Sequence, residues 1–326
     1  MVAPFRYTAS AAQIFFGSGS LNRLAEAIAG QGGKRALILS TPHQKAEAER
    51  IAASLGPLAA RLFHDATMHT PVDVTERAMA AYHGADADCV VAIGGGSTIG
   101  LGKAIAYRND APQIVVATTY AGSEVTPILG QTENGQKTTV RGPGILPEVV
   151  IYDPELTLGL PVNISVSSGL NAMAHAVEGL YAQDRNPISS MMAVEGLRAL
   201  KLALPQIVNA PGDIEPRSEA GGSFDLPHAE THAVIFPHSA AYNAQAAADA
   251  LKPAADLFGG SLGSGLYDFA ASIGAPMALR DLGMKEADLD RAAELAAQNP
   301  YWNPRPIERE AIRALLQSAW EGARPR

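Results

Sequence analysis

The sequence predicts an α/β domain built on a parallel sheet, followed by an all-helical domain. Two observations carry this prediction. In the first half, KRALILS (34–40), DCVVAI (88–93) and QIVVAT (113–118) are short apolar runs without polar alternation. That is the pattern of strands buried on both faces. In the second half such runs almost vanish and long helical stretches replace them.

Taken in order, QIFFGSGSL (13–21) is apolar and strand-like. KRALILS is the next strand, and QKAEAERIAASLG (44–56) after it has a helical character. DVTERAMAAYHGA (73–85) repeats that character ahead of DCVVAI. The β-then-α order implies a right-handed layered structure. QIVVAT follows, and VVIYDP (149–154) reads as the last strand. TLGLP (157–161) marks a junction, which places an α/β domain over 1–157 and a helical domain over 158–326. The second part contains SVSSGLNAMAHAVEGLYA, SSMMAVEGLRALKLALPQIV, ALRDLGM and IEREAIRALLQSAWEGA, all helical, and no internal repeat.

A chain of 326 residues with 47% hydrophobic content is long enough for two cores. The net charge of −8 argues against nucleic acid or an anionic membrane as partner. An anionic small substrate would need a local basic pocket. Cys89, the one cysteine, sits in a buried run, so no disulfide forms within the chain. No basic-then-apolar leader opens the sequence and no apolar run reaches membrane-spanning length, so a soluble cytoplasmic protein is expected.

VVAIGGGSTIGLGKAIA (90–106) reads as strand, glycine-rich turn and helix. Such a turn lets backbone N–H groups approach a phosphate, and the helix N-terminus adds about half a positive charge. It fails G-x-G-x-x-G at Ile99 and the P-loop pattern at Ser97. Three consecutive glycines still favour a pyrophosphate cradle over an ordinary tight turn. ATTYAGSEVTP (117–127) lies on the same carboxyl edge, where open α/β sheets bind ligands. It offers Thr118, Thr119 and Ser123, residues that also serve plain turns. The strand ending in Ser40-Thr41 has no acidic residue there to hold ribose hydroxyls, which leaves NADPH as admissible as NADH.

SSGLNAMAHAVEG (167–179) sets Asn171 and His175 four apart on one helix face. This fits a metal site, a site that has lost its metal, or a core histidine. GGSFDLPHAETHAVIFPHS (221–239) holds three of the eight histidines, with Pro227 suited to a first helical turn and His228 and His232 on one face. No zinc-protease motif is present. Their clustering points to a site, although His232 or His238 singly fits a structural role. GGSLG (259–263) spells the serine-hydrolase elbow, but no buried strand precedes it and a loop is expected. One stretch is out of keeping: a helix starting near Asp213, with Pro216 in its first turn, meets Gly221-Gly222 within two turns. Residues are expected to be absent at that point.

With these motifs together the chain resembles the iron-containing alcohol dehydrogenase superfamily, and within it the maleylacetate reductase branch. The resemblance rests on QIFFGSGSL, AIGGGSTIGLGKAIA, ATTYAGSEVTPILG, LPEVVIYDPELT, SGLNAMAHAVEGLYA and GGSFDLPHAETHAVIFPH. It implies the dehydroquinate synthase-like fold of that superfamily. It also implies that Gly94, Gly95, Gly96 and Ser97 cradle the cofactor pyrophosphate. Thr118 and Thr119 would line the nicotinamide side, with Ser40 and Thr41 near the adenosine. In metal-dependent relatives the aligned helix supplies an Asp and a His ligand, and a further His aligns with His228. Here Asn171 stands at the Asp position, and Gly100 replaces an acidic residue. The helix that would carry two more histidines falls at the Ala220–Gly221 junction.

The resemblance therefore implies NADH- or NADPH-dependent reduction of 2-maleylacetate to 3-oxoadipate, with no tightly bound metal, in a homodimer paired through the QIFFGSGSL segment. His175, His228 and His232 are the expected catalytic donors. Asn171, Lys103 and His238 are weaker candidates for contacting the anionic substrate, and Lys103 fits a solvated surface position equally well.

Overall fold

Apolar runs without alternation become the centre of a parallel sheet. The computed structural model describes residues 4–8, 12–120, 122–133, 135–220, 229–298, 300 and 302–326. Contacts divide the chain into two compact units, one holding Thr8–Leu160 and the other most of the chain from Pro161 on.

The first unit runs β1 (Gln13–Phe16), α1 (Leu24–Gly30), β2 (Ala36–Leu39), α2 (Lys45–Leu55), β3 (Ala59–Phe63), α3 (Val72–Gly84), β4 (Cys89–Gly94), α4 (Gly96–Asn109), β5 (Gln113–Ala117), β6 (Ile128–Glu133), β7 (Gln136–Arg141) and β8 (Val149–Tyr152). Its six-stranded sheet has the order β1-β8-β5-β4-β2-β3, and every neighbouring pair is parallel. Alternate side chains of a strand leave on opposite faces. Ile38, Val91, Ile93, Ile114 and Val116 pack with Leu24, Ile28 and Ile51 on one face. Leu37, Leu39 and Val90 pack with Val74, Tyr82, Leu101 and Ile105 on the other. Both faces are covered by helices, which removes any reason for polar alternation. Each such side chain contributes roughly 1.5–3 kcal/mol by leaving water.

Two features of this unit differ from the sequence reading. Strand β3 forms one edge of the sheet, and β6 and β7 form an antiparallel hairpin; neither was expected. In β3 (AARLF) only Phe63 is buried, and β7 (QKTTVR) is almost wholly exposed.

From Pro161 on, the described residues contain no strand. They form α5 (Val162–Tyr181), α6 (Pro187–Asn209), α7 (Ile214–Ala220), α8 (Ala229–Ala244), α9 (Ala248–Leu257), α10 (Leu262–Ser272), α11 (Leu289–Gln298) and α12 (Arg309–Glu321). Helix α6 begins with Asn186 and Ser189 in a reciprocal capping box, with Pro187 at its first position. Helix α5 packs on α6 and α8. Val234, Leu279, Leu289 and Leu316 gather the later helices into a core of their own. Asp213 accepts the Glu215 N–H at 3.1 Å and starts α7 as the sequence predicts. Among the described residues no helix is long and apolar enough to cross a membrane.

Candidate cofactor and active site

Strand β4 leads straight into the glycine turn. Gly94 has φ +147°, and a Cβ there would lie 2.6 Å from Thr98 Oγ1 and 2.7 Å from Gln44 Oε1. At Gly95 a Cβ would lie 2.6 Å from Thr119 Oγ1. Gly94 thus requires glycine, while a side chain at Gly95 would have to displace that of Thr119. Helix α4 starts at Gly96 with no side-chain cap and no acidic residue in its first turn. Its N-terminal dipole therefore has no local anion to meet.

The flanking strand ends supply hydroxyls. Ser40 follows β2, and its buried Oγ has no hydrogen-bond partner among the described residues. The same holds for Thr98 Oγ1 in the first turn of α4. Thr118 follows β5, is buried, and donates its N–H to the Gly94 carbonyl at 3.2 Å. Thr41 caps the turn Pro42–Gln44 and accepts the Gln44 N–H. Gln44, which the sequence reading did not single out, donates from Nε2 to Thr118 Oγ1 at 2.6 Å and accepts from Thr41 Oγ1 at 3.1 Å.

Lys103 does not take the solvated position, and Ser123, which lines a pocket with Gly96 and Ser97, is tied to it. Lys103 is fully buried, not solvated. Its ammonium donates to the carbonyls of Ser123, Thr126 and Ile128 and reaches the hydroxyls of Ser123 and Thr126. It holds the loop after β5 in place, and Ser123 is one of its anchors. Beside it the buried Glu124 accepts the Tyr152 hydroxyl at 2.6 Å, and burial pushes its carboxyl above the usual range. Lys103 also borders a small pocket of about 80 Å³ with Gly96, Ser97, Gly100, His69 and Lys137. That lining is basic and contains no carboxylate.

In the helical unit, α5 places Asn171 and His175 one turn apart. Asn171 is fully buried, and neither atom of its amide finds a partner among the described residues. His175 Nε2 is likewise buried and unpartnered, while its Nδ1 lies 3.7 Å from Glu178. Helix α8 brings the His232 ring to 6.5 Å from that of His175. His238 sits six residues further, on another face of the helix. It packs edge-on against Tyr267 and is buried, which lowers its pKa to about 4. It is a core histidine and does not join the pair. His228 and Pro227 lie outside the described residues. Ser261 of the GGSLG stretch follows α9 and precedes α10, so helices flank it on both sides and the hydrolase elbow is absent.

The iron-containing alcohol dehydrogenase profile matches residues 11–154, and the C-terminal profile of the Fe-containing alcohol dehydrogenase family matches 165–220 and 218–320. The chain belongs to the iron-containing alcohol dehydrogenase family. It is 63% identical to the maleylacetate reductase of Rhizobium sp. strain MTP-10005 over 348 residues, covering 99% of each chain. It is 47% identical to that of Burkholderia cepacia, covering 98% of this chain and 99% of the other. The crystal structure of the Rhizobium enzyme matches with a TM-score of 0.94 at 62% identity over 99% of both chains.

Two points distinguish this member of the iron-containing alcohol dehydrogenase family. Its α5 offers Asn171 and His175, with His232 beside them, and among the described residues no three His, Cys, Asp or Glu side chains gather to hold an ion. The neutral Asn171 amide is a weaker donor to a divalent cation than a carboxylate would be, whereas imidazole is a common ligand of iron and zinc. The second point is the junction at Ala220. Alignment to the Rhizobium relative spans 348 positions against 326 residues in this chain, and the C-terminal profile breaks at 220 and resumes at 218. The alignment thus includes positions this chain lacks, and the family profile is interrupted at this junction.

Proposed function

We propose that this protein reduces 2-maleylacetate to 3-oxoadipate with NADH or NADPH, without a tightly bound metal, as a cytoplasmic homodimer. The observation that carries the reading is its full-length likeness to maleylacetate reductases, at 63% identity to the Rhizobium enzyme. The glycine cradle with unpartnered Ser40 and Thr98 hydroxyls supports a dinucleotide on the α/β unit. Asn171, in place of an anionic ligand, supports the absence of metal and suits an anionic substrate.

Bound NADH or NADPH supplies a hydride from C4 of its nicotinamide to the carbon–carbon double bond. The uncapped N-terminus of α4, Gly94–Ser97 and Thr118 hold the cofactor. The ketone conjugated with the double bond gains enolate charge, and N–H donors on His175 and His232 stabilise it, with His228 sharing the role. A histidine then delivers the proton that completes the reduction. Lys103 keeps the loop after β5 in place.

The test is NADH and NADPH oxidation by the purified protein with maleylacetate, with and without a strong chelator. Turnover that survives the chelator is expected. Loss of turnover with the chelator points instead to a metal-dependent alcohol or aldehyde reductase of the same family. A second reading, a nucleotide-binding relative without turnover, is favoured by the interruption of the family profile at Ala220. Cofactor binding with no oxidation in either condition would establish it.

A further inference from the structure

One side chain spans the glycine turn from rim to rim. In the strand order β2-β4-β5, the glycine turn after β4 is flanked by Thr41 beyond β2 and Thr118 beyond β5. Neighbouring strands lie about 4.8 Å apart, so these two residues stand roughly 10 Å from each other across the turn. The Gln44 carboxamide closes that distance, with Oε1 on Thr41 Oγ1 and Nε2 on Thr118 Oγ1. Its Oε1 also stands 2.7 Å from the position a Cβ on Gly94 would take, directly against the turn backbone. A primary amide nitrogen carries two hydrogens. One goes to Thr118, and the described residues offer no acceptor for the other.

We propose that Gln44 is a cofactor-binding residue whose carboxamide donates its second N–H to the pyrophosphate of the dinucleotide, while its other bonds keep Thr41 and Thr118 at the span the dinucleotide needs. This rests on the reading that a dinucleotide binds at Gly94–Ser97. The amide is neutral and supplies a donor without a local charge, which leaves the α4 N-terminus as the positive end of the cradle.

The experiment is direct titration of the full chain with NADH and with NADPH, followed by cofactor fluorescence, for wild type, Gln44→Ala and Gln44→Glu. Loss of one hydrogen bond to a charged group gives about tenfold weaker binding for Gln44→Ala. Gln44→Glu keeps the reach to Thr118 but sets a carboxylate against the phosphates. It is expected to bind about a hundredfold more weakly, and the loss shrinks as salt is raised. A clamp with no phosphate contact would leave Gln44→Glu within about threefold of wild type at all salt concentrations, and that result overturns the proposal. Thermal unfolding of each variant separates loss of fold from loss of contact. Wild-type protein that binds neither NADH nor NADPH would instead sink the dinucleotide reading itself.

Discussion

Gly94 and His238 show how much a single position decides. At Gly94 the backbone φ of +147° and the crowding by Thr98 and Gln44 act together. Gly94→Ala is expected to displace Gln44 and the start of α4, and to raise the cofactor Kd by more than about tenfold, with about 1–3 kcal/mol of stability lost. Cofactor titration and denaturant unfolding measure the two effects separately, and a variant that binds like wild type refutes the cradle. His238 acts through pH. Burial holds its pKa at about 4 in the folded chain, below the ordinary value near 6.5. As pH falls through this window the unfolded chain takes up the proton first, so stability present above pH 6.5 is lost progressively toward pH 4. The share is about 3 kcal/mol at most. His238→Phe, which keeps the packing on Tyr267, is expected to flatten the fall in unfolding free energy between pH 7 and 5. An unchanged slope would assign the acid sensitivity to other groups.

The elements that the sequence discloses are those whose burial dictates their composition. Strands β2, β4 and β5 are buried on both faces and must be apolar throughout, so they are readable. The hairpin β6-β7 owes its form to pairing and to Gly135 at φ +76°, and its exposed strand carries no apolar signature. The solvated alternative for Lys103 fails for a related reason. Helix α4 is buried nearly all round from Thr98 to Ala106, so no polar stripe marks which side faces water. The Asn171–His175–His232 grouping was legible in part, since helical spacing joins the first two and tertiary packing alone brings in the third. Glu124 and Gln44 escaped because their roles depend on partners 28 and 74 residues away. The Lys103 reading has its own consequence. Lys103→Met leaves the carbonyls of Ser123, Thr126 and Ile128 without their shared donor and Glu124 without a nearby cation. A loss of about 3–5 kcal/mol is expected in urea unfolding. If the loop needed no anchor, the variant would unfold at the wild-type midpoint.

For the whole molecule, β1 and β3 are the two edges of the sheet, and among the described residues no further strand closes the β1 edge. Strand β1 pairs with β8 on one side only, as the order β1-β8-β5-β4-β2-β3 requires. Phe15 packs inward toward the core and under Arg23, whereas Ile14 and Phe16 remain 54% and 51% exposed. An apolar edge strand with free backbone donors and acceptors invites another strand. The strand carries neither lysine nor proline, the residues that commonly blunt such an edge. Pairing of β1 with β1 of a second copy would satisfy both the hydrogen bonds and the apolar side chains. It is also isologous, so it closes as a dimer and does not extend into a fibre. Sedimentation equilibrium of the wild-type protein is therefore expected to give twice the chain mass of 34.0 kDa. Ile14→Lys places a charge on the exposed edge without touching the cofactor cradle. It is expected to sediment at the single-chain mass while retaining NADH binding. A wild-type protein already at the single-chain mass, or a variant still at twice that mass, would rule out this edge as the dimer contact.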